Sequence, residues 1–358
     1  MALLAACASP SSPVPGPVSA NSTPVPPRGA PATVPASPLA APEPTEAPER
    51  AVAPEPAAPP EPALILPLPS SSTSIGHPAE GRLEGAAALP LLGPGFRFNS
   101  NRDSTARFAA AEVVGAISRA ARVVKDALPG SELVVNDISL EQGGPIDHHG
   151  SHRAGRDADI LFYLLDDDGK PTPSVGAPID PDGIGFDYKD LAIKDDDLRV
   201  HFDAPRTWRF VSALLSDAEA VVQRIFVVEH LRARLLDEAD KHPEDRASRE
   251  RFAEITCQPS YPHDDHLHVR WFCSAEDLTL GCQDLPPLYA WHEAELKQSG
   301  VSSVMGQLRK ERPRSKIVTH ADEDREVARL VIHADVHAFL ARRKKWREQP
   351  HPGRKYCP

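Results

Sequence analysis

No run of about 18 apolar residues occurs anywhere in this 358-residue chain, so no helix of it is expected to span a membrane. Basic charge is scarce through most of its length. The formal net charge is −11, although the window Gly306–Pro358 carries 14 Lys and Arg against 7 Asp and Glu. The acidity of residues 1–305 argues against a main domain that binds nucleic acid. No internal repeat is apparent. Cysteine is sparse as well, five in all, so at most two disulfides can form.

What the chain has in excess is proline at its beginning, where 20 of its 39 prolines precede Ser71. Mixed with Ala, Ser, Val and Glu, this stretch has too few large apolar residues to offset the entropy of ordering. Residues 8–70 are therefore expected to be a disordered, extended linker. Ahead of it, Leu4-Ala5-Ala6-Cys7 resembles a bacterial lipobox, in which the cysteine becomes lipidated. Only six residues precede Cys7, fewer than the roughly 7–15 apolar residues of a signal peptide. Residues 1–7 are accordingly read as a truncated signal peptide, with lipidated Cys7 as a membrane tether. Cys257, Cys273, Cys282 and Cys357 then remain, which allows three pairings. Cys273 and Cys282 bracket a short loop and are the preferred disulfide, leaving Cys257–Cys357 by elimination in an oxidising compartment.

Residues 71–288 are long enough to bury a core. Phe108, Val113, Val114, Ile117, Ala121, Val124 and Leu128 recur at helical spacing before the stop Pro129-Gly130, which predicts a helix within Thr105–Leu128. Glu132–Leu140, Asp157–Leu165, Arg224–Val228 and His266–Phe272 read as strands, and Trp208–Leu215 and Glu229–Lys241 as helices. This order lacks a regular βαβ rhythm and fits an α+β domain, a small, mainly antiparallel sheet with flanking helices. The acidic stretches Asp166–Gly169 and Asp180–Gly183 lack the spacing and closing Glu of a calcium loop and read as plain turns.

Residues 289–358 are expected to form a basic, partly helical C-terminal extension. His333 and His337 stand four apart without the Glu of a metalloprotease helix, and are expected to be exposed. The run Arg342-Arg343-Lys344-Lys345-Trp346-Arg347 reads either as a contact for an anionic polymer or lipid headgroup, or as a solvated helix end.

The chemistry concentrates in two places. Ser151-His152-Arg153-Ala154-Gly155-Arg156-Asp157-Ala158-Asp159 is answered by Pro262-His263-Asp264-Asp265-His266-Leu267-His268-Val269-Arg270, with His266 standing 107 residues after Asp159. His266 and His268 are two apart on an expected strand, so both imidazoles share a face while Leu267 turns to the core. Imidazole and carboxylate groups are costly to bury unless paired or bound to metal. The simplest use of the cluster is one divalent metal held by His152, Asp159 and His268. Three protein ligands leave a fourth position for water, as in a hydrolytic zinc site.

Three stretches carry a more specific likeness: Gly143-Gly144-Pro145, the run from His149 through Ile160, and the run from His263 through Arg270. With Ser74-Ile75-Gly76 and Gly81–Ala86 upstream, they resemble the penicillin-insensitive murein endopeptidases. That family lies within the broader group of lysostaphin-like, D-Ala-D-Ala-cleaving and hedgehog-like zinc folds. The resemblance covers roughly Ser74 to Cys282; the proline-rich leader and the tail after about Leu288 depart from it. It implies a hedgehog/D-Ala-D-Ala peptidase-like fold, and one zinc ion per chain on His152, Asp159 and His268. His266 is then the non-ligand histidine that takes a proton or stabilises the oxyanion. His149 and His263 fall where the family has further active-site histidines. Asp157 either orients a ligand imidazole or caps the turn.

The substrate implied is the D-alanyl–meso-diaminopimelate cross-link of peptidoglycan, cut by a metal-activated water without an acyl-enzyme, in the bacterial periplasm or envelope. A D,D- or L,D-carboxypeptidase on the same fold and an inactive wall-binding lipoprotein remain the alternatives, and the oligomeric state stays open.

Overall fold

A computed structural model describes residues 71–308, 325–348 and 355–357. The expected signal peptide, Cys7 anchor and linker lie outside the described residues. The described residues open with a hairpin, β1 (Thr73–His77) and β2 (Glu80–Glu84), followed by β3 (Ala87–Ala88), β4 (Leu92–Gly93), β5 (Phe96–Phe98) and β6 (Phe108–Ala109). Helix α1 (Ala111–Ala127) leads to β7 (Leu133–Val135) and β8 (Asp157–Leu161). Four short strands follow: β9 (Leu164–Leu165), β10 (Pro171–Thr172), β11 (Ile184–Phe186) and β12 (Arg199–Phe202). Then come α2 (Ala204–Leu215), β13 (Val222–Phe226), α3 (Glu229–Ala239), α4 (Arg246–Ile255), β14 (Thr256–Cys257) and β15 (His266–Trp271). Helices α5 (Ala275–Leu280), α6 (Ala290–Gln298) and α7 (Ala334–Glu348) complete the described elements.

The fold is α+β, as the sequence pattern predicts, but its sheet is larger than expected. Seven strands run in the order β14-β13-β15-β8-β7-β5-β4. The β13–β14 and β5–β7 pairs are parallel and the other neighbours antiparallel, so the sheet is mixed. A second sheet of four strands has the order β10-β9-β12-β11. Period-2 alternation explains how the central pair is oriented. Ala158 and Ile160 of β8 and Leu267 and Val269 of β15 enter the main core cluster, together with Val113, Ile117 and Val124 of α1. The residues between them face the other way. Among the described residues no helix is long and apolar enough to cross a membrane.

Element boundaries move where the backbone finds other partners. The helix expected from Thr105 starts at Ala111, because Phe108 and Ala109 pair with Ala88 and Ala87 instead. Ala110 offers no capping side chain, and the Ser72 hydroxyl accepts the Ala111 N–H in its place. The strand expected over Glu132–Leu140 ends at Val135, after which Asn136 and Asp137 exchange backbone bonds with Asp159 and Ile138 N–H reaches Ala106 O. Helix α2 starts where the Asp203 carboxylate accepts the Arg206 N–H. The acidic stretches are turns: Asp166 Oδ1 accepts from the N–H groups of Asp168 and Lys170, and Asp180 Oδ1 from those of Asp182 and Ile184.

The C-terminal extension is docked on the protein. Val336 and Phe339 of α7 pack with Tyr188 and Leu191, and Trp346 enters the main core cluster. His333, expected to be exposed, has a side chain only 9% exposed, because it sits 3.2 Å from the Asp197 carboxylate and against the Tyr188 ring. His337 is exposed. In the basic run, Arg342, Lys344 and Lys345 face solvent while Arg343 and Trp346 are buried. Both disulfides are present, Cys273–Cys282 and Cys257–Cys357.

The two bridges differ in what they constrain, with 9 and 100 residues of sequence separation respectively. By loop-closure entropy the larger ring stabilises by about 4.7 kcal/mol and the smaller by about 2.7. The double variant Cys257→Ser/Cys357→Ser should therefore lose more stability in urea titration than Cys273→Ser/Cys282→Ser. The reverse order would show that local packing, and not closure of the long ring, sets the contribution.

Candidate metal centre

The register of two strands brings the site together. In the β8–β15 pair His268 lies opposite Asp159, Arg270 opposite Asp157, and His266 opposite Leu161. Asp157, Asp159, His266, His268 and Arg270 therefore share the face turned away from the core. His152 arrives from the preceding loop with φ of 65°, a left-handed conformation unusual for a residue with a side chain. Two bonds hold it there: its N–H donates to Asp157 Oδ2 at 3.1 Å, and its Nδ1 to Ile138 O at 2.7 Å.

Asp159 is the hub. Its Oδ1 is faced by His152 Nε2 at 3.4 Å, His266 Nε2 at 3.4 Å and His268 Nδ1 at 3.5 Å. His149 Nδ1 stands 3.6 Å from Oδ2. Each of these imidazoles is tied outward by its other nitrogen, since a carbonyl or carboxylate can only accept. His152 donates to Ile138 O, His266 Nδ1 to Asp265 Oδ1 at 2.8 Å, His268 Nε2 to Asp157 Oδ1 at 3.0 Å, and His149 Nε2 to Asp137 Oδ2 at 3.1 Å. With the outer nitrogen carrying hydrogen, the inner one turns a lone pair toward Asp159. The carboxylate Oδ1 and His152 Nε2 are both buried and neither makes a hydrogen bond. Buried polar atoms are rarely left so, and a cation among these donors satisfies them together. The set of ring nitrogens and carboxylate oxygen suits a transition-metal ion, and the outward bonds are the orienting contacts that ligand imidazoles use.

Every sequence-predicted site residue is in this cluster. His152, Asp159 and His268 come together as expected, with His266 beside them. His149 also belongs, and one ligand atom each from His149, His152 and Asp159 fit within 4.8 Å of one another. His263 joins from the segment before β15, its ring 4.7 Å from that of His266 and 5.5 Å from that of His268, with Nδ1 donating to Tyr261 O at 2.9 Å. Asp157 carries both of the roles weighed for it, orienting the His268 ring and holding the His152 backbone, while Arg270 Nε donates to it at 2.7 Å. Asp265, Asp137, Arg270 and the Ile138 carbonyl were not singled out from sequence. Strand alternation places Arg270 two residues beyond His268 on the same face, a signal that was available. Asp137 and Ile138 carry no comparable mark, being brought in by the chain reversal after β7.

The electrostatics follow from burial opposed by close charges. Burial pushes the Asp159 carboxyl up, but His266, His152 and His149 hold it well below the ordinary range. Asp157 is likewise raised by burial and lowered far more by Arg270 and His268. Burial depresses His266, yet Asp159 and Asp265 on either side lift it to about 9. His149 falls to about 4 through burial and the neighbouring His152. His263 is held well below its ordinary value by burial, His266 and His268. A cavity of about 360 Å³ reaches Asp137, the anchor of His149, and is lined also by Arg102, Ile146 and His148.

Comparison with known proteins agrees with the geometry. The family profile described as penicillin-insensitive murein endopeptidase matches residues 74–297. Curated proteins of that name from Escherichia coli O1:K1 / APEC and from Escherichia coli strain SMS-3-5 / SECEC are each 28% identical to the chain over 225 residues. The aligned part is 62% of this chain and 74% of each relative.

The geometry makes Asp157 the shared support of His152 and His268. Asp157→Asn should weaken metal affinity about 10–100-fold, the range for orienting partners of ligand histidines. Competition against a chelator of known affinity measures it, and parental affinity in this variant would contradict the shared support.

Proposed function

The chain belongs to the penicillin-insensitive murein endopeptidase family, and we propose that it is a zinc-dependent DD-endopeptidase hydrolysing D-alanyl–meso-diaminopimelate cross-links in peptidoglycan. One observation carries the proposal: Asp159 Oδ1, buried and without a hydrogen bond, faces three ring nitrogens at 3.4–3.5 Å. Two ligand sets share His152 and Asp159, completed by either His268 or His149. We assign His268, because its Nδ1 faces the same Oδ1 that His152 Nε2 faces, whereas His149 faces Oδ2. A zinc ion held there supplies Lewis acidity and a water acidic enough to lose its proton near neutral pH.

The chain's own groups do the rest. A cation on Asp159 would oppose the lift that this carboxylate gives His266 and leave the ring neutral, so that Nε2, with Nδ1 tied to Asp265, accepts the proton of the attacking water and returns it to the leaving amine. Asp265 holds the ring in orientation and stabilises the imidazolium while it carries that proton. His263 is kept neutral by its surroundings and sets its ring 4.7 Å from that of His266, so that no second positive charge stands beside the proton-carrying imidazole. The cavity along Arg102 and His148 gives a peptide stem access to Asp137, the anchor of His149. Attack by water leaves no acyl-enzyme, so a β-lactam finds no serine ester to form.

Site of action follows from the substrate, the bacterial periplasm. Lipidation at Cys7, with residues 8–70 as its linker, supplies the proposed tether to the envelope membrane.

The test is digestion of purified cross-linked muropeptide dimers followed by mass analysis. Monomers should appear, a chelator should abolish them and added zinc restore them. Intact dimers with zinc-loaded protein would refute the proposal, and free D-alanine from monomers would point to a carboxypeptidase. The roles are separable. His266→Ala should keep its zinc and lose about 10²–10⁴-fold in kcat/KM, whereas His268→Ala should lose both zinc and activity. Full activity in His266→Ala would remove the assigned proton-transfer role.

A further inference from the structure

Helix α7 of the C-terminal extension lies beyond the residues matched by the family profile, 74–297, yet it packs behind the segment that delivers three groups of the site. That segment, residues 258–265 between β14 and β15, has no regular secondary structure of its own. It carries His263 and Asp265 and leads directly into His266.

From α7, the buried Arg343 reaches this segment. Its Nη2 donates to Asp264 Oδ1 at 2.7 Å and to Pro262 O at 3.2 Å. Its guanidinium carbon stands 4.8 Å from the centre of the Tyr261 ring, and the carbonyl of Tyr261 is the acceptor for His263 Nδ1. One side chain thus contacts residues 261, 262 and 264, on both sides of His263. A second arm leaves the same helix. The Trp346 ring packs 4.9 Å from that of His230, His230 Nε2 donates to Ile179 O at 2.9 Å, and Ile179 N–H donates to Asp264 O at 2.7 Å. At the far end of the segment, Gln258 N–H donates to Lys355 O and Cys357 N–H to Gln258 O, beside the Cys257–Cys357 bridge.

One guanidinium nitrogen that donates to two acceptors at once fixes their separation, and the charged plane set against the Tyr261 ring fixes a third point; a buried charge pair of this kind is made at the cost of desolvation. An irregular segment with no ladder of its own gains its geometry from such contacts. We propose that Arg343 is a positioning residue for catalysis: its contacts with Pro262 and Asp264 set where His263, Asp265 and His266 stand relative to the Asp159 hub. The inference rests on the reading of His266 as the proton-transfer group, with His263 and Asp265 around it.

Two variants of the full chain test it. Arg343→Lys keeps the charge but loses the planar guanidinium that meets Pro262, Asp264 and the Tyr261 ring together. Arg343→Met combined with Asp264→Asn removes both buried charges, so that no unpaired carboxylate remains. Each is measured for kcat and KM on cross-linked muropeptide dimers, for metal per chain, and for melting temperature. In both, kcat should fall roughly ten-fold or more, while KM stays within about two-fold and metal content is parental. Parental kcat in either folded, metal-loaded variant overturns the proposal. Loss of fold or metal in both overturns it too, since the extension would then support the whole domain and not orient this segment. A parent protein inactive on dimers removes the functional reading and the clamp with it, whereas an active parent with unaffected variants removes the clamp alone.

Discussion

A carboxylate stripped of water is the constraint around which this protein is arranged. Asp159 is 2% exposed, and its Oδ1 makes no hydrogen bond. Left alone, such a group would take up a proton or destabilise the fold by several kcal/mol. The chain answers with four imidazoles whose outer nitrogens are anchored and whose inner nitrogens converge. Two of those anchors have supports of their own: Asp157 is held by Arg270, and Asp137 stands near Arg102 at 3.6 Å. The hydrophobic core on the opposite face of the sheet makes the rest possible. Ile160 and Leu267, both fully buried, fix the strand register that puts His268 across from Asp159.

Much of this was legible in the sequence, and the reason is local. Two-residue spacing on a strand tells which side chains share a face, so the spacing alone pairs His266 with His268. The seven-residue step from His152 to Asp159 carries no such geometry by itself, and it gained meaning from the second segment and from family resemblance. The helix over Ala111–Ala127 and the paired turns were visible for the same local reason. Contacts that depend on the chain folding back were not. Ile138 O and Asp137 reach the site because β7 ends early, and nothing in Glu132–Leu140 signals that ending. The choice between His149 and His268 as third ligand is likewise beyond spacing, since both meet the same carboxylate.

The extension shows a different limit. Its composition is basic, and basic runs are usually solvated, so a surface helix was the natural reading. Alternation of burial within the run, Arg342 out, Arg343 in, Lys344 and Lys345 out, Trp346 in, has the three-residue step of a helix packed on one side. That step is present in the sequence, but Arg at an inward position disguises it. A buried arginine is tolerable only where a carboxylate waits, and Asp264 lies 79 residues away in the chain. No local pattern links them.

The bridge between Cys257 and Cys357 turns the last 101 residues of that span into a covalent macrocycle, with the smaller Cys273–Cys282 ring nested inside it. A single backbone cut anywhere between Gln258 and Tyr356 therefore releases nothing: both fragments stay joined through sulfur. β15 with its two histidines would remain covalently joined to the rest of the chain through whichever arm of the ring survived. In an environment that contains other peptidases, the closed ring gives this half of the molecule tolerance to nicking that an open chain of the same sequence would lack.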